Sequence, residues 1–437
     1  MTQSLVVSWP GAAEPGPHFF AVPPAAIDSL SSFLAWCAVK ADHDQEITVV
    51  VTDDAHRALG LPETPEEAGR CLLDSRPLLD VDGWEHGPAG PWITYRRGNH
   101  TRVHLGVWKW MALRPRDHTL FLPLLNGAIP AHQPTGPILV QLQEWRDLTD
   151  LPYRGIPGIA GTALLRALCT AKRGRQPLWH WGTPIKAHEP EIGSWRSPGS
   201  DRPEFRQSWD ANRAYLAAAG CAEVSEGRLV NTGPIPFDQK RAGWWLIDAD
   251  PWTLPHLLPD PVYQRTRGTR PGAVVWATTP TVKLLSDLHP DGRGVPGFTI
   301  LDSWTGKGTR LFRGWAGCLN SACVDLMHRE YSTDLTRAAL AAFKDSYRQG
   351  IGLMNHEGGA IWRPDWHYTI LAQARATLWR KLWMIGHATG RWPIAISTDA
   401  VTYASAYRDN EDNENPGFPI GDMLGEWKVK RNVRIPR

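Results

Sequence analysis

An excess of charge of either sign is what this 437-residue sequence most plainly lacks, with 47 basic side chains against 45 acidic ones. The balance excludes a globally basic field that would announce nucleic acid, and leaves open a groove that is only locally positive. Cys37, Cys71, Cys169, Cys221, Cys318 and Cys323 form no C-x-x-C pair and have no histidine at zinc spacing. That excludes a zinc ribbon and a dithiol redox motif, and reduced, buried thiols are expected. No run approaches the twenty apolar residues that a bilayer demands, and "MTQSLVVSWPGAAEPG" lacks a charged stretch leading into an apolar core. A soluble, cytoplasmic chain with no membrane partner is therefore expected. No repeat of fixed period is present, which excludes solenoids and propellers.

The chain is rich in tryptophan (23), proline (37) and glycine (40), so many irregular connections join its elements. Tryptophan serves equally as core filler and as stacking surface, and sequence alone does not separate the two uses. Length suffices for two or three packed lobes, each with its own core. "EWKVKRNVR" and "RKLWMIGHATGR" are basic, and "DNEDNEN" between them is an acidic loop; such runs are ordinarily solvated faces.

Periodicity places a helix in "PAAIDSLSSFLAWCAVKA", a strand in "EITVVV", and a helix past the glycines of "PGIAGTALLRALCTAKR". The Pro/Gly/Ser-rich "EIGSWRSPGSDRPEF" marks a boundary near residue 200. "FRQSWDANRAYLAAAG" then reads as a strand running into a short helix, and residues 220–330 as short strands alternating with turns. Two long helices follow, "STDLTRAALAAFKDSYRQGIG" behind a Ser/Thr/Asp cap and "DWHYTILAQARATLWRKLWMIGHATG", and the second leads through Gly-Arg-Trp-Pro into "AISTDAVTYAS".

That last stretch reads as a strand with one carboxylate, Asp399, among small and apolar residues. Two-metal nucleotidyl transfer needs carboxylates from distant parts of the chain at neighbouring strand ends, holding two divalent ions about 3.5–4 Å apart. Asp210, at the end of the strand in "SWDANRAYLA", is the second candidate. Taken singly, each aspartate is more often a turn residue, Tyr215 a core aromatic, and Lys344 a solvated lysine. Their common order along the chain is what singles them out.

In that order the residues resemble family B DNA polymerases. Asp210-Ala-Asn-Arg-Ala-Tyr215 is similar to motif A, Asp-x-x-Ser-Leu-Tyr. Lys344-Asp-Ser-Tyr-Arg-Gln-Gly-Ile-Gly352 resembles motif B, Lys-x-x-x-Asn-Ser-x-Tyr-Gly, and Ser397-Thr-Asp399 resembles motif C, Asp-Thr-Asp. "WATTPTVKLLSDL" through "RLFRGWAGCL" looks like the insertion of the protein-primed branch between motifs A and B, and "MLGEWKVK" is similar to its Leu-Gly-x-Trp. The resemblance covers roughly residues 203–430.

The resemblance implies an α+β right-hand polymerase, with an antiparallel palm sheet, packing helices and helical fingers, behind a degenerate RNase H-like exonuclease domain. It implies residues 1–200 as that N-terminal domain, 201–330 as the first part of the palm with the insertion, 331–366 as fingers, and 367–437 as the second part of the palm and the start of a thumb that is short or absent. Two Mg²⁺ (or Mn²⁺) ions are expected on Asp210, Asp399 and the carbonyl of Ala211. Tyr215 is expected to exclude a ribose 2′-hydroxyl, Lys344, Arg337 and Arg348 to meet the triphosphate, and Gly352, Lys428, Lys430 and Arg431 to meet DNA. The expected partners are template and primer DNA, deoxynucleoside triphosphates and a terminal protein. Ser397 stands where the family has its first motif C aspartate, and Arg348, Gln349 and Ile351 replace the Asn-Ser and Tyr of motif B. One Asp-x-Glu occurs in residues 1–100, Asp44-Gln-Glu46 ahead of a strand run, while the adjacent Asp53 and Asp54 would point to opposite faces if extended, and proofreading is not expected. The departures in motif C keep a second class open, a polymerase-derived protein that binds DNA ends or a terminal protein without chemistry; a nuclease would need an acidic cluster that the sequence does not show.

Overall fold

The computed structural model describes residues 4–8, 19–21, 29–40, 46–51, 59–61, 81–89, 92–98, 101–107, 144–145, 147–151, 157–173, 176–183, 185, 194–198, 205–262, 274–328, 334–405 and 415–434. The chain divides into two compact units, Met1–Leu164 with Ser321–Gly350, and Leu165–Asn320 with Ile351–Arg437.

The first unit holds a six-stranded sheet of β1 (Ser4–Ser8), β2 (Phe19–Ala21), β3 (Glu46–Val51), β4 (Glu85–Ala89), β5 (Trp92–Arg97) and β6 (Thr101–Val107), in the order β2-β1-β3-β6-β5-β4. β3 and β6 run parallel and the other pairs antiparallel. Ile93 and Tyr95 on β5, with Val103 and Leu105 on β6, are buried at every second position, the period of a pleated strand with one face inward. Phe33, Leu34 and Cys37 of helix α1 (Leu30–Lys40) are buried, and α1 packs on β6. Burial pushes the Cys37 thiol far above its ordinary range, so it behaves as a small hydrophobe. The adjacent Asp53 and Asp54 lie outside the described residues. Helix α2 runs Pro157–Arg173 and takes in Gly158 and Gly161, where a start beyond the glycines was expected. Proline at a first helical turn loses no hydrogen bond, so it begins the helix. At Gly161 a side chain would collide with the Ser346 carbonyl, so the glycine permits close backbone approach.

The second unit carries Asp210, Tyr215 and Asp399. One antiparallel sheet joins β7 (Ser194–Arg196), β8 (Phe205–Ala211), β14 (Ala395–Ser397), β15 (Ala400–Ser405) and β16 (Trp427–Arg434), in the order β16-β8-β15-β14-β7. The other joins β9 (Val224–Ser225), β10 (Val230–Asn231), β11 (Arg241–Ala249), β12 (Val274–Thr278) and β13 (Phe298–Thr309), with β13 paired to β9, β10 and β11. The remaining helices of the chain are α3 (Ala214–Cys221), α4 (Thr279–Leu288), α5 (Arg313–His328), α6 (Asp334–Leu353) and α7 (Pro364–Thr389); α5 is divided between the two units and α6 falls mostly in the first. Strands and turns alone were expected across residues 220–330, yet α4 and α5 are helical there. Pro280 sits in the first turn of α4, where its missing N–H costs nothing, and Val282, Leu285 and Leu288 share the buried side.

Tryptophan here is mainly core. Trp244 and Trp245 are consecutive on β11, hence on opposite faces, and both are fully buried. Trp245 joins a cluster with Leu284, Leu285, Trp379 and Trp383, while Trp244 meets Tyr368 edge-on at 5.6 Å. Trp379 and Trp383, one helical turn apart on α7, stack at 5.2 Å. Each such indole removes about 200 Å² from water, on the order of 5 kcal/mol before ordering entropy is counted. Helix α7 opens with Pro364 in its first turn and stops at Gly390, whose φ of 71° is the left-handed conformation that favours glycine. Gly-Arg-Trp-Pro then delivers the chain to β14.

Thiols Cys37, Cys169 and Cys323 are buried as expected, but Cys221 at the end of α3 is exposed. Its neighbours Ala219 and Ala222 are buried, so Cys221 occupies the outward side of the last turn. No described helix is long and apolar enough to cross a membrane.

Candidate active site

"AISTDAVTYAS" is a hairpin instead of the single strand expected. β14 and β15 pair antiparallel with Ser397 opposite Ala400, so Thr398 and Asp399 form a two-residue turn. Thr398 has φ 55°, the positive angle that tight hairpins demand at a central position. The turn places Asp399 at a hairpin tip, where a carboxylate is half exposed; that answers why an apolar stretch carries one. Its Oδ1 accepts a 3.0 Å hydrogen bond from the Thr398 hydroxyl.

Asp210 is the penultimate residue of β8, the strand between β15 and β16. It lies directly opposite Ala400 on one side and Lys428 on the other. Because Asp399 immediately precedes Ala400, the two aspartates are diagonal neighbours across one strand pairing, with Cα atoms on the order of 6 Å apart. Residues 189 positions apart in sequence thus meet through sheet register, not through local chain geometry.

The turn after Asp210 is built by its own side chains. Arg213 adopts φ 52°, which swings the chain out of β8 into α3. Its guanidinium is largely buried, donating to Asn320 Oδ1 at 3.0 Å and to the Asp422 carbonyl, while the Asn212 amide donates to the Gly421 carbonyl. Asn212 N–H donates to Glu426 O at 2.7 Å, and Gly425 N–H to Asn212 O at 3.0 Å. The Leu-Gly-x-Trp segment, Leu424 to Trp427, is thereby tied to the Asp210 turn. Trp427 pairs with Ala211 and stacks on Phe418 at 4.0 Å and 9°. Sequence reading passed over Asn212 and Arg213; the signal was an arginine and an asparagine in a turn between strand and helix, polar residues with many donors where several backbone carbonyls need partners.

A cavity of about 350 Å³ opens between α3, α7 and the hairpin tip. Ala211, Tyr215 and Asp399, all singled out from sequence, line it, together with Lys381 and Trp427. Among the charged lining groups, Arg375 is 7% exposed and is held by the Pro261 carbonyl and the Thr281 hydroxyl, so it serves the wall. Lys381 Nζ lies 5.6 Å from the centre of the Trp427 ring, and burial holds its pKa below the ordinary lysine value. Sequence reading assigned Lys381 only to a basic run; its apolar neighbours, Trp-Arg-Lys-Leu-Trp, were the sign of a lysine on a half-buried helix face.

Asp210 does not line the cavity wall; its Oδ1 lies 3.2 Å from Lys430 Nζ, with the carboxylate side chain 17% exposed. Lys430, expected at DNA, is thus the counter-ion of Asp210. Lys428 is exposed, and Arg431 lies on β16 at a break in register after Val429. Gly352 is exposed near the end of α6, with open space around it. Lys344 and Arg348 belong to the part of α6 that falls in the first unit. Lys344 is half buried; Arg348 is exposed and pairs with Asp345 at 3.4 Å. Arg337 lies on α6 and its side chain falls outside the described residues. Ile351, in the place of the motif B tyrosine, is buried, and its carbonyl accepts from His367 Nδ1 at 2.9 Å.

Oxygen donors of this kind suit Mg²⁺ or Mn²⁺. A fit to cations is visible at Asp210, where the Lys430 ammonium already stands in for one. Among the described residues no group of three or more His, Cys, Asp or Glu side chains is placed to hold a metal ion. Mg²⁺ is commonly held by one or two carboxylates completed by substrate phosphates and water.

Neither protein-family models nor curated protein sequences match the chain. Solved structures do. Phi29 DNA polymerase complexed with primer-template DNA and incoming nucleotide superposes with a TM-score of 0.55 at 13% identity, over 93% of this chain and 78% of that one. Its post-translocation complex with primer-template DNA gives 0.50 at 12% identity, over 81% and 71%. The orthorhombic crystal form of the same enzyme aligns over 69% of this chain but only 56% of its own length, with a TM-score of 0.48 at 12% identity. The first two likenesses establish a DNA-polymerase-like fold, and at such identities they speak of fold alone.

Proposed function

We infer that this chain is a family B-like, template-directed DNA polymerase that adds deoxynucleotides to a nucleic-acid or protein hydroxyl, without proofreading. The observation that carries the reading is the juxtaposition of Asp210 and Asp399 across one strand pairing, at a cavity lined by Tyr215, in a chain of polymerase-like fold. Asp210, Asp399 and the Ala211 carbonyl would hold two divalent ions, which when bound supply charge neutralisation and activation of the attacking hydroxyl. The protein's own contribution is positional. The hairpin tip fixes Asp399, the clamped turn fixes Asp210, and the apolar cavity wall excludes water from the reacting groups. Lys344, with Arg337 and Arg348, would meet the triphosphate; Gly352, Lys428 and Arg431 would meet template and primer strands. A terminal protein fits as partner if the primer is a protein hydroxyl. Primer extension decides the matter: a wild-type chain inert with Mg²⁺ and Mn²⁺, on DNA primers and on protein hydroxyls alike, rejects the reading.

Tyr215 would close the sugar side of the cavity against a 2′-hydroxyl. Tyr215→Ala is expected to lower the preference for deoxy- over ribonucleotides, by roughly a hundred-fold at most, since steric pockets reject an added hydroxyl only to about that degree. The ratio of kcat/KM values for the two nucleotide classes reads this directly; an unchanged ratio removes Tyr215 from the role.

One observation favours a second reading, DNA binding without chemistry: an ammonium neutralises Asp210. If Lys430 merely competes with metal, Lys430→Gln tightens Mn²⁺ binding up to about five-fold, the worth of a partly exposed ion pair. Titration followed by Mn²⁺ paramagnetic resonance measures it. Under the second reading, Mn²⁺ binding is absent in both forms and DNA affinity persists in chelator.

A further inference from the structure

We propose that Lys381 is a phosphate-binding residue of the cavity at Asp399, contacting either the triphosphate of an incoming nucleotide or a backbone phosphate of a bound DNA strand. The inference rests on the reading of that cavity as a nucleotide site and adds a residue that no polymerase motif in this sequence contains.

Three observations converge. The cavity, about 350 Å³, has the capacity for one nucleotide-sized ligand. Its wall is unevenly divided: Ala214, Ala217, Ala218, Leu371 and Leu378 give a small-residue apolar surface on which a flat ring or sugar packs without steric hindrance. Charge is confined to Arg375, Lys381 and Asp399. Arg375 is committed to the Pro261 and Thr281 oxygens, and Asp399 repels anions. Lys381 alone of the three is a cation with no hydrogen-bond or ion-pair partner among the described residues; only the Trp427 ring face lies near its ammonium.

A half-buried ammonium without an anion is a costly arrangement, because the low-dielectric wall penalises charge without a compensating partner. The cost is recovered when an anion arrives, and the same wall then strengthens the contact. Trp427, whose ring lies beneath the ammonium, is itself fixed: the indole is 3% exposed, is stacked on Phe418, and its backbone pairs with Ala211. The cation is therefore presented from a rigid platform, one strand from the Asp210 turn. A structural role as a surface lysine would instead leave the ammonium in water and the pocket unlined by it.

The test is equilibrium binding in metal chelator, so that no turnover enters. Fluorescence anisotropy with a labelled primer-template and fluorescence titration with a labelled deoxyadenosine triphosphate are run on wild type, Lys381→Met and Lys381→Arg. The methionine variant is expected to weaken one of the two ligands about ten-fold, and arginine to restore most of it. If the partner is a DNA phosphate, the slope of log K against log salt also falls by about one for Lys381→Met, a change that loss of packing alone does not produce. Weakening of the triphosphate with DNA unaffected assigns the nucleotide tail. Unchanged affinity for both ligands, in a variant with wild-type near-ultraviolet circular dichroism, overturns the proposal. So does equal weakening by arginine and methionine with an unaltered salt slope. A wild-type chain that binds these ligands through Lys381 yet never extends a primer leaves this inference standing and removes polymerisation.

Discussion

Asp399→Asn and Asp210→Asn are each expected to reduce deoxynucleotide incorporation at least about a hundred-fold, because each removes a full negative charge from the place where cation and phosphate charge must be balanced. The substitutions are isosteric, and the scaffold does not depend on either carboxylate. Among the described residues, Asp399 accepts a bond from its neighbour Thr398 alone, and Asp210 has an ion pair with a half-exposed lysine alone. Thermal unfolding is therefore expected to stay within about 1 kcal/mol of wild type for both. The pair of results matters more than either alone. Lost incorporation with intact folding identifies the aspartates as chemical; lost incorporation with lost folding makes them structural. Incorporation that survives Asp399→Asn within a few-fold removes the hairpin tip from catalysis. The double variant is expected to be no worse than the poorer single one, since groups that act as a unit are not additive.

Arg363→Met is expected to destabilise the second unit by about 3–5 kcal/mol, the usual penalty for stripping one partner from a buried ion pair. Arg363 is 0% exposed and lies immediately before α7. Its guanidinium meets both oxygens of Asp365, at 2.8 and 2.7 Å, and donates to the carbonyls of Leu178, Ser225 and Gly227 while lying 4.1 Å over the Trp366 ring. Methionine fills most of the volume but strips Asp365 of its guanidinium partner and the Leu178 and Gly227 carbonyls of its donors, while the Ser225 carbonyl keeps the Trp366 indole. Burial already pushes the Asp365 carboxyl above its ordinary pKa, opposed by the arginine. Without Arg363 only the backbone hydrogen bonds of Asp365 and Trp366 oppose that upward push, and a raised folded pKa means stability that is present at low pH and lost as pH rises through it. The deficit is thus smallest below about pH 4, where Asp365 is protonated folded and unfolded alike, and grows toward neutrality. Urea unfolding followed by tryptophan fluorescence at several pH values measures both effects. A deficit that is flat with pH, or under 1 kcal/mol, contradicts this account of the buried cluster.

Local structure was legible where it depends on neighbours in sequence. A helix was expected over residues 365–390 and α7 runs Pro364–Thr389, and the expected strand running into a short helix is β8 followed by α3. The sequence misled where a short signal had two readings. The ten residues of α4 behind a strand looked like another strand and turn, because β-branched Thr and Val occupy its start, and only packing of Val282 and Leu285 into the core decides for helix. The Thr398-Asp399 turn was hidden because no Gly or Asn marks it; pairing of β14 with β15 enforces the positive φ that Thr398 would not choose alone.

By itself, the sequence determined which residue types are on hand for phosphate and cation chemistry, and their order along the chain: Asp210, Tyr215, Lys344, Asp399. It also determined that most elements are short and interrupted, since proline and glycine act through the local backbone. Tertiary structure alone decided which of these residues become neighbours. Asp210 and Asp399 come together because β8 and β15 pair in one register and no other, and a slip of one residue would turn each strand's side chains to the opposite face. Lys430 is drawn to Asp210, and Lys381 to the cavity wall, for the same reason. Proximity across a sheet depends on pairing between segments that share no local sequence, and so it is written in no single stretch of the chain.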